Sequence, residues 1–200
     1  MSAADYARMV RRAYAATTYD IGTNGASARA NRCDLGGRKV LAIPGTNNIA
    51  CWLADLQMDI HTTALGGVHV GFDKAVHEIL DAVIVYAPTD LTGHSEGADL
   101  CLLAAGYLCL AGEPPKTVWA FEPARLCVDD VLADILRTHA VEVRMTHHGM
   151  DVVPLVPRIT HVWRHPGVLT EFGKSSWIVP NVEDHYLNDK FIQDLDLAGL

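Results

Sequence analysis

The amino-acid sequence predicts an α/β fold in which a mostly parallel central sheet is flanked by helices. The first observation is that short apolar β-type segments alternate with longer helical ones, which is typical of parallel strands joined by crossover helices. The second is a serine between two glycines, directly after one such strand and before an apolar helix. The third is size, because 200 residues with 50% hydrophobic content suit one domain with a sizeable core. We therefore expect residues 1–200 to form a single domain.

Capping, periodicity and turn residues define the N-terminal elements. Ser2 can cap a helix that runs to about Ala16, because the apolar residues Tyr6, Met9, Val10, Ala13 and Tyr14 share one face. A weak strand over 26–33 and a better one over 38–43 flank the turn 34–37, which predicts a hairpin. The unbroken apolar run in the second strand predicts burial on both of its faces.

The remaining elements alternate as the fold class requires. Helices are predicted over about 49–56 and 73–85, and Pro88 ends the second of them. The expected order after Pro88 is a strand at 90–92, an apolar helix over 98–108, a strand at 117–121, a helix over 128–139, a strand at 141–146, extended segments at 159–163 and 168–169, and a last helix from near Asn188.

The central motif is Gly93-His94-Ser95-Glu96-Gly97, which reads G-x-S-x-G. It is the pattern of the nucleophile elbow of α/β-hydrolases, a tight strand-to-helix turn that projects a serine hydroxyl from the top of a sheet. The crowded turn favours glycine two residues before and after the serine, and the following helix directs its first N–H groups at the same place. An ordinary Gly-flanked turn would need neither the strand before nor the buried helix after. The sequence therefore predicts Ser95 as a nucleophile.

A serine hydroxyl is a weak nucleophile unless a base takes its proton. In α/β-hydrolases the acid follows the serine in the chain. Asp151 comes just after the strand 141–146 in an apolar loop, where a carboxylate can orient an imidazole. The competing acids have a simpler interpretation as solvated charges at the start of a helix or within it: Asp129, Asp130 and Asp134. Asp151 is therefore the predicted acid.

Three histidines follow Asp151 in the chain, and the base is expected among them. His185 is favoured because it lies in a loop before the last helix, and a loop can carry the imidazole across the sheet to Ser95. His161 and His165 lie in an extended segment and at its exit. Together with His147-His148 they have the spacing of a zinc site, but Pro166 follows and no glutamate lies between them. The sequence therefore implies no metal and no organic cofactor.

The loop after the strand 38–43 is a candidate oxyanion loop: Pro44-Gly45-Thr46-Asn47-Asn48. It lies at the carboxyl end of the sheet, where open α/β sheets bind their ligands. We expect Thr46 to offer its backbone N–H to developing negative charge. The alternative is a strand-to-helix turn with an asparagine cap. Because the motif around Ser95 predicts a nucleophile, the oxyanion loop is the favoured interpretation.

Composition restricts the partners and the compartment. The net charge of −8 and the absence of a Lys/Arg run argue against nucleic acid. The N-terminus carries an early acid, Asp5, and no apolar segment typical of a signal peptide, and no apolar run is long enough for a transmembrane span, so a cytoplasmic or otherwise leaderless protein is expected. The five cysteines include no C-x-x-C pair, which favours reduced thiols. Oligomeric state is open.

With these residues in place, the chain resembles the class 3 (fungal-type) lipase family from about Ala26 to His185. The ordered pieces that carry the resemblance are the oxyanion block 42–46, the tryptophan-bearing lid-region helix 52–56, the Val-His-x-Gly-Phe element 68–72, the elbow 92–98, the turn 121–125, the acid motif 151–154 and the base motif at 184–185. Two departures are Pro44, where the family usually has arginine, and Glu96, where it usually has leucine.

The resemblance implies a serine carboxylic-ester hydrolase with the triad Ser95, Asp151 and His185. It implies backbone N–H donors from Thr46 and Glu96, and it makes the segment after Asn47 a pocket wall or a lid bearing Ile49, Trp52, Leu53 and Leu56. The substrate would be a small-molecule or lipid ester. The Glu96 carboxylate near the acyl site favours short or soluble esters over the alternative, a triacylglycerol lipase with a mobile lid. Acyl transfer, thioester cleavage and a non-catalytic binding module on the same fold stay open.

Overall fold

The structure, a computed structural model, describes residues 1–49, 59–157, 162–175 and 177–200. The elements of the first half are α1 (Ala3–Tyr14), β1 (Ile21–Gly22), β2 (Arg29–Leu35), β3 (Arg38–Ile43), β4 (Ile60–Thr63), β5 (Gly66–His69), α2 (Val70–His77) and α3 (Leu80–Tyr86). Those of the second half are β6 (Asp90–His94), α4 (Glu96–Leu110), β7 (Thr117–Phe121), α5 (Val131–Thr138), β8 (Glu142–His148), a 3₁₀ turn (Val153–Leu155), β9 (Leu169–Phe172), a second 3₁₀ turn (Glu183–His185) and α6 (Asp189–Ala198).

Within the described residues, a seven-stranded sheet has the order β1-β2-β3-β6-β7-β8-β9, and β4 and β5 pair separately. In the seven-stranded sheet β1 to β3 pair antiparallel, and the pairings β3-β6, β6-β7, β7-β8 and β8-β9 are parallel, whereas β4 and β5 pair antiparallel. The expected mostly parallel α/β sheet is confirmed. Because Ile43 pairs with Gly93 and His94 with Phe121, the carboxyl ends of β3, β6 and β7 lie side by side. The loops that follow these strands are thereby gathered at one edge.

Alternate strand residues face two separate cores. Leu41 and Val118 pack with α2 to α5 on one face, whereas Val40 and Trp119 pack with α1 and α6 on the other. α4 lies under the first face and is buried along nearly its whole length. This explains why its sequence is apolar all round and not amphipathic.

Several predicted boundaries are wrong, each for a local reason. The helix expected over 73–85 is two helices, α2 and α3, because the chain turns between His77 and Leu80. The helix expected from 128 starts at Val131, since Cys127 makes isolated β-bridges and Asp129 accepts backbone hydrogen bonds. α1 ends two residues early, at Tyr14, and β2 starts three residues late, at Arg29. Most of the predicted 49–56 helix and of the 159–163 segment lies outside the described residues.

The structure bears on two expectations from composition, the state of the cysteines and the membrane-spanning segments. Cys33, Cys101, Cys109 and Cys127 are free thiols, and Cys51 lies outside the described residues. In the described part of the chain, no helix combines the length and the apolar character that crossing a bilayer requires.

Candidate active site

Ser95 lies in a strained turn between β6 and α4. Its backbone has φ 59° and ψ −134°, a conformation that L-residues rarely adopt. Its N–H donates to the Phe121 carbonyl at 2.9 Å, which anchors the turn to β7. A Cβ on Gly93 would lie 2.1 Å from the Gly97 carbonyl oxygen, and one on Gly97 would lie 2.2 Å from that of Ile43. Both glycines are therefore required by close backbone approach.

The Ser95 hydroxyl is fully buried, and its oxygen has no hydrogen-bond partner among the described residues. A buried hydroxyl normally finds a partner, so an unsatisfied one at a strained turn points to chemistry. Ser95 also precedes the first residue of α4, where unpaired N–H groups and the helix dipole favour negative charge.

Asp151 and His185 form a buried pair. Asp151 Oδ2 lies 2.6 Å from His185 Nδ1, and Asp151 Oδ1 accepts the Val153 N–H at 2.9 Å. The exposed fraction of the side chain is 0% for the acid and 3% for the histidine. Because Asp151 Oδ2 accepts from Nδ1, the proton of a neutral His185 lies on Nδ1, which leaves Nε2 free to accept one.

Backbone contacts join the loops that carry the pair. The Val152 N–H donates to the Asn181 carbonyl at 2.9 Å, and the Asn181 N–H donates to the Met150 carbonyl at 2.9 Å. The Asn181 side-chain oxygen in turn accepts the Asp184 N–H at 2.9 Å. The loop after β8 and the turn holding His185 are therefore joined by hydrogen bonds.

A chain of hydrogen bonds ties the elbow to the oxyanion loop and to the histidine turn. His94 Nε2 lies 2.7 Å from the His185 carbonyl, which can only accept, so this nitrogen carries a proton. Burial lowers the pKa of His94 well below its usual value, so the other nitrogen accepts from Tyr14 Oη at 2.9 Å. Tyr14 Oη in turn accepts the Gly45 N–H at 2.9 Å. Three separate loops are thereby held in register around Ser95.

The predicted oxyanion donors flank the serine. Thr46 follows Gly45, and its hydroxyl accepts the Asn48 N–H at 3.2 Å, which shapes the loop. Glu96 is the first residue of α4, so its N–H has no acceptor within the helix. Burial raises the pKa of the Glu96 carboxyl to about 7, against the opposing effect of Arg29. That carboxyl therefore changes charge near neutral pH.

Two cavities meet at Thr46 and Asn47. An apolar cavity of about 240 Å³ lies beside His185 and includes Ile49 and Leu187 in its wall. A polar cavity of about 320 Å³ lies on the other side and is lined by Arg29 and Glu96, among others. The site can therefore hold an apolar group and a polar group on opposite sides of one loop.

The structure describes only some of the other residues that were predicted to belong to the site. Ile49 is buried in the wall of the apolar cavity, whereas Trp52, Leu53, Leu56 and His161 lie outside the described residues. His165 and His147 each lie within hydrogen-bond distance of a backbone carbonyl, that of Pro154 at 3.0 Å and that of Asp151 at 3.1 Å, respectively. In the ranges that the structure describes, no group of three or more metal-ligating side chains is found.

Sequence reasoning missed three residues that surround the site. Tyr14 fits the apolar stripe of α1, so periodicity classifies it as a packing residue and hides its hydroxyl contacts. His94 lies inside the elbow motif, but the motif leaves that position open. Glu122 carried a usable signal, because an acid directly after an apolar strand at the sheet edge is costly to bury without a role.

Comparison with known proteins gives one matching family and several similar solved structures. Residues 40–161 match the model of the family lipase (class 3). A comparison with curated proteins returned no match. Among solved structures, lipase II from Rhizopus niveus is similar with a TM-score of 0.73 and 17% identity, over 94% of this chain and 92% of that one. A lipase from Rhizopus microsporus var. chinensis is similar with a TM-score of 0.68 and 18% identity, over 96% of this chain and 83% of that one.

A third similar structure is a mutant form of MDLA from Penicillium cyclopium, with a TM-score of 0.67 and 19% identity. It is matched over 82% of this chain and 66% of its own, so the chain spans just under two thirds of that relative. At these identities the solved structures establish the α/β-hydrolase fold, whereas the family model, which matches more than half of the chain, establishes the family. The chain therefore belongs to the class 3 lipase family.

Proposed function

We propose that the protein hydrolyses short or soluble carboxylic esters through an acyl-enzyme on Ser95, with His185 as base and Asp151 as the acid that orients it. The observation that carries the proposal is the buried 2.6 Å hydrogen bond between Asp151 and His185, together with a buried Ser95 hydroxyl whose oxygen has no hydrogen-bond partner among the described residues. An acid, an imidazole and a free hydroxyl on adjacent loops are the parts that this reaction requires.

The steps follow from the available atoms. Ser95 Oγ attacks the ester carbonyl carbon while His185 Nε2 takes the hydroxyl proton and then gives it to the departing alcohol. Asp151 stays a carboxylate and stabilises the imidazolium that forms. Water then attacks the acyl-enzyme by the same route and releases the acid. The N–H groups of Thr46 and Glu96 stabilise the oxyanion, each worth about 3 kcal/mol.

The dimensions of the site support a small substrate. The apolar cavity of about 240 Å³ is smaller than the roughly 300–1,000 Å³ of pockets that bury drug-sized ligands. The neighbouring polar cavity, which contains Arg29 and Glu96, suits a hydrated alcohol better than a second hydrocarbon chain. Both features favour an esterase over a triacylglycerol lipase.

Acyl-chain selectivity tests this substrate class. We expect the specificity constant for p-nitrophenyl esters to be highest for short acyl chains and to fall towards sixteen carbons, because longer chains outgrow the apolar cavity. Rates are measured from two to sixteen carbons, below and above the solubility limit of each ester. A sharp rise on emulsified long-chain substrate would contradict the proposal and establish lipase behaviour with a mobile lid.

A pH-dependent effect of Glu96 tests its place beside the oxyanion. Above pH 7 its carboxylate puts a negative charge near the charge that develops in the transition state. Glu96→Gln should therefore raise kcat/KM about three- to tenfold at alkaline pH and leave it unchanged at acidic pH. The raised pKa also means that ionisation between pH 4.5 and about 7 opposes folding, so the variant should gain stability relative to wild type over that range.

Glu113→Gln is the matched control, because it removes the same charge from an exposed position just beyond the other end of α4. It should shift neither the pH–rate profile nor the pH dependence of stability. Equal profiles for Glu96→Gln and wild type would show that the Glu96 carboxylate is too far from the reacting atoms to matter.

A further inference from the structure

The two peptide groups on either side of the His185 Cα are each held by a buried histidine side chain. His94 Nε2 lies 2.7 Å from the His185 carbonyl. His148 Nδ1 lies 2.9 Å from the Asp184 carbonyl, which belongs to the peptide group that precedes His185. The exposed fractions of His94 and His148 are 3% and 2%. Because these two peptide groups set the backbone angles at His185, the direction of its side chain depends on both contacts.

The partners of His148 show that it donates from both ring nitrogens. A carbonyl oxygen only accepts, so Nδ1 carries a proton. Nε2 lies 2.7 Å from Asp194 Oδ2, and the same carboxylate pairs with Lys190 at 2.8 Å. Burial would raise the pKa of Asp194, but the hydrogen bonds from His148 and Lys190 outweigh burial and lower it. Asp194 is therefore a carboxylate that accepts from Nε2, and the Lys190 ammonium lies farther from that nitrogen, at 3.4 Å.

The ring of His148 is confined on several sides. His148 is the last residue of β8, and its backbone N–H donates to Glu122 Oε1 and Oε2 at 3.0 and 2.9 Å. The ring centroids of Phe172 and Phe191 each lie 4.9 Å from that of His148. A Cβ on Gly173 would lie 2.5 Å from His148 Cδ2, so the segment after β9 packs directly against the ring. A donor confined in this way restrains the carbonyl that it contacts.

We infer that His148 is a positioning residue for ester hydrolysis: its Nδ1–H holds the Asp184 carbonyl and thereby keeps the His185 imidazole in place. The inference rests on the proposed function. Position matters because a misplacement of about 1 Å can cost a hundredfold in rate. The Asp184 carboxylate also accepts the Met150 N–H at 3.0 Å, which ties the same turn to the loop that carries the proposed acid.

A merely structural role would be to fasten α6 to the sheet through Asp194. The two contacts of His148 are made by different nitrogens, so they can be removed separately. Positioning depends on Nδ1. Fastening depends mainly on Nε2, because a hydrogen bond between charged groups is stronger than one to a neutral carbonyl. Activity and stability should therefore respond to different substitutions.

Two amide substitutions separate the contacts. The side-chain nitrogen of asparagine is as many bonds from Cβ as Nδ1, and that of glutamine as many as Nε2. His148→Gln should lose the contact with the Asp184 carbonyl and lower kcat about ten- to a hundredfold, with KM nearly unchanged. His148→Asn should keep kcat within about threefold of wild type but lose more thermal stability, because it gives up the bond to Asp194. Turnover of p-nitrophenyl acetate is measured beside thermal melts.

A double-mutant cycle shows whether the effect passes through His185. In the His185→Ala background the imidazole to be positioned is gone, so adding His148→Gln should change kcat by less than about twofold. The full ten- to hundredfold loss in that background would mean that His148 acts on the protein as a whole, and it would overturn the inference.

His139→Gln is the matched control. His139 Nδ1 also lies 2.9 Å from a backbone carbonyl, that of Ile135. This contact stays within one helical turn at the end of α5, and His139 is exposed. The variant should match wild type in kcat and in KM.

If His148→Gln fails to fold by circular dichroism, wild type still provides a test. Long-range ¹H–¹⁵N spectra of its imidazoles should show a proton on His148 Nδ1, and an Nδ1 without a proton would overturn the inference. Equal kcat losses in His148→Gln and His148→Asn, or losses that follow thermal stability, would overturn it as well. If Ser95→Ala is inactive in that case, the proposed function still stands; if Ser95→Ala retains activity, the proposed function itself fails.

Discussion

Ser95→Ala should abolish ester hydrolysis and leave the fold intact. The hydroxyl is the only group lost, and among the described residues its oxygen has no hydrogen-bond partner, so no native hydrogen bond is broken. Removing a triad nucleophile costs on the order of 10⁶ in kcat in enzymes of this chemistry, which puts the variant near the background rate. Turnover of p-nitrophenyl acetate is measured beside the circular dichroism spectrum and the thermal melt.

Labelling provides the control for this result. A fluorophosphonate probe should modify wild type at Ser95 and leave Ser95→Ala unlabelled. Ser2→Ala, at the N-cap of α1, changes another serine far from the elbow and should keep both labelling and activity. Residual Ser95→Ala activity within tenfold of wild type would eliminate the serine mechanism, and a non-catalytic role would be favoured if wild type neither hydrolyses esters nor reacts with the probe.

His185→Ala should reduce kcat by on the order of 10³ or more, because the base that activates the serine and protonates the leaving alcohol is gone. The loss should be far larger than any change in KM, since the imidazole acts on the reacting atoms in the transition state. Wild type should lose activity as pH falls and the imidazole protonates. The pH–rate profile of His185→Ala should lack this fall in activity at low pH.

His165→Ala is the matched histidine control. His165 is partly buried, burial lowers its pKa to about 4, and its Nε2 lies 3.0 Å from the Pro154 carbonyl. We expect a modest loss of stability and activity within a few-fold of wild type. A crippled His165→Ala with an active His185→Ala would mean that the base had been assigned to the wrong loop.

The strands at the centre of the sheet were predictable, but their order in the sheet and the helix boundaries were not. Apolar runs of strand length indicated β3 and β7, because a buried parallel strand needs hydrophobic residues on both faces. β6 was predicted instead from its place just before the serine motif. The break between α2 and α3 was not visible, since the periodicity of 73–85 continues across it. A helix ends where tertiary contacts outweigh local preference, and those contacts come from distant segments.

The sequence alone determined the family and the identity of the candidate residues Ser95, Asp151 and His185. Each of these has a local signature: glycines that a tight turn demands, an acid after a strand, and a histidine in a loop. Spacing along the chain also determined their order. These are properties of short segments, which a reader of the sequence can evaluate without knowing where the segments meet.

Only the tertiary structure decided what surrounds them. The hydrogen bond between Asp151 and His185 joins residues 34 positions apart, and the contact between Tyr14 and His94 joins residues 80 apart. The same holds for the contact between the His148 N–H and the Glu122 carboxyl, which joins residues 26 apart. Burial and charge proximity are products of packing, so no local pattern can specify them.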